Sequence, residues 1–236
     1  MLTPKEILKY NRQIILPEIG IEGQIGLKRA KILVIGAGGL GCPILEYLVS
    51  SGVGTIGIID FDAIALHNLP RQILYKEKDV NKLKTHIAYN YLTEKNTELQ
   101  CLLFNDRLTD DNADRVIQTF DIIIDASDNF ATRYLVNDTC VRLNKPLVYG
   151  SILKFEGQIS VFNHKGSKNL RDIFPTPPNP EDVPNCDQNG VLSTLPGIVG
   201  TIMANEAIKL CTGLPVLSNQ LLILDVMNWQ FHKINF

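Results

Sequence analysis

Several features that would declare a class of protein at once are scarce or missing in these 236 residues. There are five cysteines, an odd number, and Cys42, Cys101, Cys140, Cys186 and Cys211 are scattered with no Cys-x-x-Cys pair among them. That spacing argues against both a disulfide framework and a structural zinc site. Excess charge is also lacking: 23 Lys and Arg stand against 25 Asp and Glu, a net of -2, and no long basic run occurs. Nucleic-acid surfaces need such a run, so nucleic acid is not an expected partner. No segment reaches the roughly 18 uninterrupted apolar residues of a membrane span. The start, Met1 to Glu6, has no basic stretch leading into an apolar one, the mark of a secretory signal. No membrane association and a cytoplasmic location are therefore expected. Internal repeats and low-complexity tracts are absent as well.

What is present has the balance of a globular protein, 45% hydrophobic and 20% charged. The length suits one large α/β domain with a sizeable core. Thr3-Pro4-Lys5-Glu6 has the form of a capping box with Pro at the first helical position, so a short helix should begin there. Short apolar, β-rich runs at 31–35, 55–60, 99–104, 120–125 and 146–150 predict strands, with helical stretches between them, notably at 81–94 and 131–143. Strands alternating with helices imply right-handed crossovers and a parallel sheet covered on both faces. After residue 151 the pattern changes. A strand is expected at 156–162, an apolar helix at 195–210, and two closing strands at 221–225 and 229–234. Between 163 and 189 the chain carries Pro175, Pro177, Pro178, Pro180 and Pro184, which predicts neither helix nor central strand but a mobile or functional loop. The expected organisation is one domain over 1–236: N-terminal helices at 1–30, an α/β core at 31–151, and a C-terminal extension with a Pro-rich crossover loop at 152–236.

The first strand runs into Gly36-Ala37-Gly38-Gly39-Leu40-Gly41 and then a helical pattern, which satisfies the Gly-x-Gly-x-x-Gly fingerprint of nucleotide-binding turns. Asp60 ends the second strand about 20 residues on, where a carboxylate reaches a ribose hydroxyl. The fold class expected is therefore a Rossmann-like, doubly wound α/β domain with a mainly parallel sheet, helices on both faces and an antiparallel C-terminal extension. To this point NAD and ATP fit equally.

Further polar residues favour ATP. Asp62 follows Asp60 closely, Asn68-Leu69-Pro70-Arg71-Gln72 brings amide and guanidinium groups with His67 beside them, Lys84 comes next, and Ser127-Asp128-Asn129 follows the fourth strand. Magnesium prefers one or two carboxylates together with phosphate oxygens, and Arg and Lys suit a triphosphate. Each residue alone has a plainer explanation as a solvated charge, a turn or a helix cap. An NAD-dependent oxidoreductase is the alternative, and it leaves Asp62, Arg71, Lys84 and Asp128 without a task.

Taken together, Arg12-Gln13, the 36–41 turn, Asp60-Phe61-Asp62, the 68–72 segment, Lys84, Ser127-Asp128-Asn129-Phe130 with Arg133, Pro196-Gly197-Ile198-Val199-Gly200 and Glu206-Ala207-Ile208-Lys209 resemble the MoeB/ThiF/HesA family, relatives of the ubiquitin-activating enzymes. The resemblance implies an adenylyltransferase that uses ATP and Mg²⁺ to activate the C-terminal Gly-Gly carboxylate of a small ubiquitin-like sulfur carrier, of the ThiS or MoaD kind. Thiamine or molybdopterin biosynthesis would be served. By the same resemblance Gly36, Gly38, Gly39 and Gly41 hold the phosphates, with Gly39 against them, and Asp60 the ribose. Asn68, Arg71 and Lys84 hold the triphosphate, Asp128 the Mg²⁺, and Asn129 lies beside the nucleotide. Arg12 would reach into the partner's site of a homodimer. Cys186 matches a cysteine that in some members joins covalently to the carrier, and a loop cysteine without chemistry is the equal alternative. Asn169 and Asp172 stand where many members have zinc thiolates, so no structural zinc is expected. Members that adenylate a peptide or a tRNA-linked carboxylate are the remaining alternative within the family.

Overall fold

The computed structural model describes residues 1–178 and 190–236. One eight-stranded sheet, in the order β3-β2-β1-β4-β5-β6-β7-β8, carries the architecture. Its strands are β1 (Lys31–Ile35), β2 (Thr55–Ile59), β3 (Gln100–Phe104), β4 (Ile122–Asp125), β5 (Leu147–Leu153), β6 (Glu156–Phe162), β7 (Gln220–Asp225) and β8 (Gln230–Asn235). β1 to β5 are parallel, with Val34 opposite both Ile58 and Ile124, and β6, β7 and β8 add antiparallel.

Alternation along the strands divides two cores. Ile32 and Val34 of β1 and Ile122 and Ile124 of β4 face one side, with α3 (Gly20–Arg29), α4 (Gly41–Ser50), α5 (Lys84–Lys95) and α9 (Leu195–Thr212) packed there. Leu33, Ile35 and Ile123 face the other side, under α6 (Asp110–Ile117) and α7 (Phe130–Arg142). With both faces covered, the parallel strands read as continuous apolar runs rather than alternating ones.

Thr3 caps α1 (Pro4–Lys9) as expected: its Oγ1 accepts from the Glu6 N–H, and Glu6 accepts from the Thr3 N–H. Two expectations need correction. The helix expected from 81 begins at Lys84, because 81–83 is tied to the segment after β2: the Asn81 N–H donates to the Ile64 carbonyl and the Ile64 N–H to the Lys82 carbonyl. Among the described residues of the 163–189 segment there is a helical turn, α8 (Leu170–Ile173), which precedes its first proline and is capped by Asn169 and Asp172. The one-turn α2 (Asn11–Ile14) completes the helices named here. Among the described residues, no helix is long and apolar enough to cross a membrane.

Candidate nucleotide site

A cleft of about 830 Å³ opens at the carboxyl ends of the parallel strands, where open α/β sheets bind their ligands. β1 enters it through Gly36, whose φ of +97° lies in the region that suits glycine, and whose N–H donates to the Ile59 carbonyl at 2.9 Å. A Cβ on Gly41 would sit 2.1 Å from the Gly36 carbonyl oxygen, so α4 starts as close to the turn as it does only because that residue has no side chain. Among the described residues no side chain caps α4. The Cys42 and Ile44 N–H groups donate to the Gly38 and Leu40 carbonyls and Pro43 has none, so the N–H groups of the glycine turn itself and the positive end of the helix dipole are what remain for an anion.

Asp60 ties the turn to the segment after β2. Its Oδ2 accepts from the Ala37 N–H at 2.7 Å and its Oδ1 from the Asp62 N–H at 2.8 Å. Burial pushes its carboxyl above the ordinary value, while Lys84 and these two donors pull it back. Lys84, itself buried, donates to Asp62 Oδ2 at 2.7 Å. Arg71 donates to the His67 carbonyl at 3.0 Å. Gln72 is buried and its Oε1 has no donor among the described residues.

On the far side, Asp125 ends β4 fully buried; Ser127 donates to its Oδ1 through both N–H and Oγ, and its Oδ2 has no partner among the described residues. Asp128 beside it is exposed, and Asn129 caps α7 by accepting from the Thr132 N–H at 2.9 Å. Arg133 clamps this loop to β5, donating to the Ser127 and Gly150 carbonyls at 3.0 and 2.9 Å.

Of the residues expected from sequence, Gly36, Gly38, Gly39, Asp60, Asp62, His67, Pro70, Arg71, Gln72, Lys84, Asp128 and Asn129 line the cleft. Gly41 and Leu69 do not. Asn68 is buried behind the lining, where its carbonyl accepts from the Arg71 and Gln72 N–H groups. Arg12 is exposed on α2 and does not reach the cleft of its own chain. Cys186 lies outside the described residues. Cys42 and Cys140 are buried and Cys101 and Cys211 half-buried. Burial pushes the thiols of Cys42, Cys101 and Cys211 up to about 12, which suppresses reactivity.

Sequence reasoning passed over Asp106, Arg107 and Leu108, which line the cleft just after β3. The rule that singled out the end of β4 applies equally to the end of β3. The cleft thus gathers Arg71, Lys84, Arg107 and Arg133 with Asp60, Asp62, Asp106 and Asp128. Cations for a polyphosphate, a buried acid for a sugar and an exposed acid for a divalent cation are what a phosphate-rich nucleotide requires.

Comparison with known proteins matches residues 10–236 to the ThiF family. The adenylyltransferase and sulfurtransferase MOCS3 of Culex quinquefasciatus is 50% identical over 225 residues, covering 95% of this chain and 51% of the relative. The chain therefore spans about half the length of that protein. The sulfur carrier protein adenylyltransferase of Thermus thermophilus is 44% identical over 238 residues, covering 98% of this chain and 88% of the relative. Among solved structures, E. coli MccB crystallised with ATP superposes with a TM-score of 0.83 at 23% identity, over 96% of this chain and 71% of that one. At that identity the likeness speaks for the fold.

Proposed function

The chain belongs to the ThiF family, and on that premise we propose that it is an ATP-dependent adenylyltransferase acting on the C-terminal carboxylate of a small ubiquitin-like sulfur carrier that ends in Gly-Gly. The observation that carries the reading is the convergence of Arg71, Lys84 and Asp128 on the cleft entered by the glycine turn. An NAD-dependent oxidoreductase would leave those three charges unused.

A terminal carboxylate has a pKa of about 3.5 and is already an anion at neutral pH, so its attack needs no general base. A carboxylate oxygen bonds to the α-phosphorus of ATP. The bond from that phosphorus to the bridging oxygen breaks, and its electron pair leaves on pyrophosphate. The product is an acyl-adenylate. Negative charge concentrates on the phosphates along this path, so preorganised charge carries the catalysis.

Gly38, Gly39 and the uncapped start of α4 hold phosphate, Asp60 holds the ribose, and Arg71 and Lys84 hold the triphosphate, each cation contributing about 3 kcal/mol. Asn68 acts behind them by building the turn that presents Arg71 and Gln72. Among the described residues no group of three or more His, Cys, Asp or Glu could hold a metal unaided, but Mg²⁺ needs only one or two carboxylates when phosphates supply the other ligands, and Asp128 suits it.

Exposure of Arg12 away from its own cleft fits donation to a partner's site in a homodimer. Mixing Arg12→Ala with Arg71→Ala protein should then restore part of the activity, since one mixed site is intact; no restoration removes the role in trans. Cys186→Ser should leave adenylation intact and, if the thiol takes part, abolish sulfur transfer alone. The reading as a whole is tested by ATP–pyrophosphate exchange. Exchange should appear with a Gly-Gly carrier and vanish with a carrier cut short of its last glycine. Exchange absent with every such carrier overturns it.

A further inference from the structure

Sheet order gives the bound nucleotide a direction. The phosphate-binding turn follows β1 and the ribose acid Asp60 follows β2, and β3 is next along the edge. A nucleotide lying across those ends carries its base onward to the end of β3. The residues that meet it there are Arg107 and Leu108, with Phe61 from the end of β2, and all three line the cleft.

Arg107 is built in an unusual way for a surface arginine. Its guanidinium lies over the Phe61 ring, 4.3 Å from the centroid. Among the described residues no carboxylate or carbonyl accepts from it. Its backbone is anchored instead: Asn112 Nδ2 donates to the Arg107 carbonyl at 2.9 Å, and Leu108 is buried in the core beneath. The cation therefore sits over an aromatic ring at an anchored point of the cleft. Guanidinium faces are weakly hydrated and stack on π-systems, whereas an ammonium offers only a point charge.

We propose that Arg107, backed by Phe61, is the stacking platform for the nucleobase. This rests on the adenylation reading and adds a determinant of nucleotide affinity that acts on the base rather than on the phosphates. Stacking of this kind is lost about tenfold or more on truncation to alanine.

The test separates the two ends of the nucleotide. Binding of ATP, adenosine and inorganic tripolyphosphate is titrated, with Mg²⁺ present, on the wild type, Arg107→Ala, Arg107→Lys and Arg71→Ala. Both Arg107 variants should weaken ATP and adenosine about tenfold and leave tripolyphosphate unchanged, while Arg71→Ala should weaken ATP and tripolyphosphate and leave adenosine unchanged. Weakened tripolyphosphate binding by Arg107→Ala, or adenosine affinity retained by Arg107→Lys, overturns the stacking role while the adenylation reading stands. Wild-type protein that binds neither ATP nor tripolyphosphate overturns both.

Discussion

The two parts of the one sheet are paired in different ways and carry different duties. In β1 to β5 every strand points the same way, so each loop that leaves a carboxyl end lands on one edge; the glycine turn, Asp60, Arg107 and Asp128 meet there although they are far apart in sequence. In β6 to β8 the direction alternates, which sends successive turns to opposite edges. Burial follows the same division. β2 is buried at every position under helices on both faces, while β8 is exposed at every position and ends the sheet. Parallel pairing is thus what concentrates chemistry here, and antiparallel addition extends the surface.

The sharpest way to break this comparison is at the functional edge. Arg71→Ala, and likewise Lys84→Ala, should cost ATP–pyrophosphate exchange about 100-fold or more, roughly 3 kcal/mol. Arg71→Ala should leave the melting temperature nearly unchanged, and a parallel loss of folding and activity would make it structural. Next in size is Gly41→Ala. Its new methyl would overlap the Gly36 carbonyl, so urea titration should show a loss of about 2 kcal/mol, with nucleotide affinity falling further than stability alone explains.

The opposite, amino edge of the same parallel strands should behave differently. Glu6, on α1, is buried. Burial alone would raise its pKa, but hydrogen bonds from Lys28 and Thr3 outweigh it and hold the carboxyl at about 2 instead of the ordinary 4.5. A carboxyl lowered in the folded state stabilises the protein above pH 4.5 and loses that contribution as pH falls from 4.5 towards 2. Glu6→Gln keeps the accepting oxygen and loses the charge paired with the partly solvent-screened Lys28, so it should cost about 1 kcal/mol at neutral pH, flatten the acid limb of the stability profile and leave catalysis alone. The smallest effect belongs to the outer strand: Phe231→Ala on β8 should change stability by no more than about 0.5 kcal/mol. A loss of several kcal/mol there would show that the extension bears on the core as heavily as the parallel half does.

Strands and their order of appearance were legible because buried parallel strands are continuous apolar runs bounded by turn residues, as in Lys31–Ile35 and Ile122–Asp125. Helix starts were legible where a local side chain sets them, as Thr3 does for α1. They were not legible where a distant partner does. Lys84 begins α5 because residues 81–83 are claimed by Ile64, a contact that periodicity does not register. The site followed the same rule. The glycine turn and Asp60 announce themselves by spacing, whereas Arg107 looks like any loop arginine until Phe61 is found beneath it. Asn68 shows the converse, a residue expected on the phosphates whose side chain is buried behind the cleft lining.

The α/β class, the glycine turn and the kinds of charge available could be read from the chain alone, because each depends on residues within a few positions of one another. Only tertiary structure decided which of those charges share a cleft, which acid is buried and which exposed, and where Arg107 stands. Those outcomes depend on strand order and on packing between residues dozens of positions apart, and the energies that select them arise only once the chain has folded.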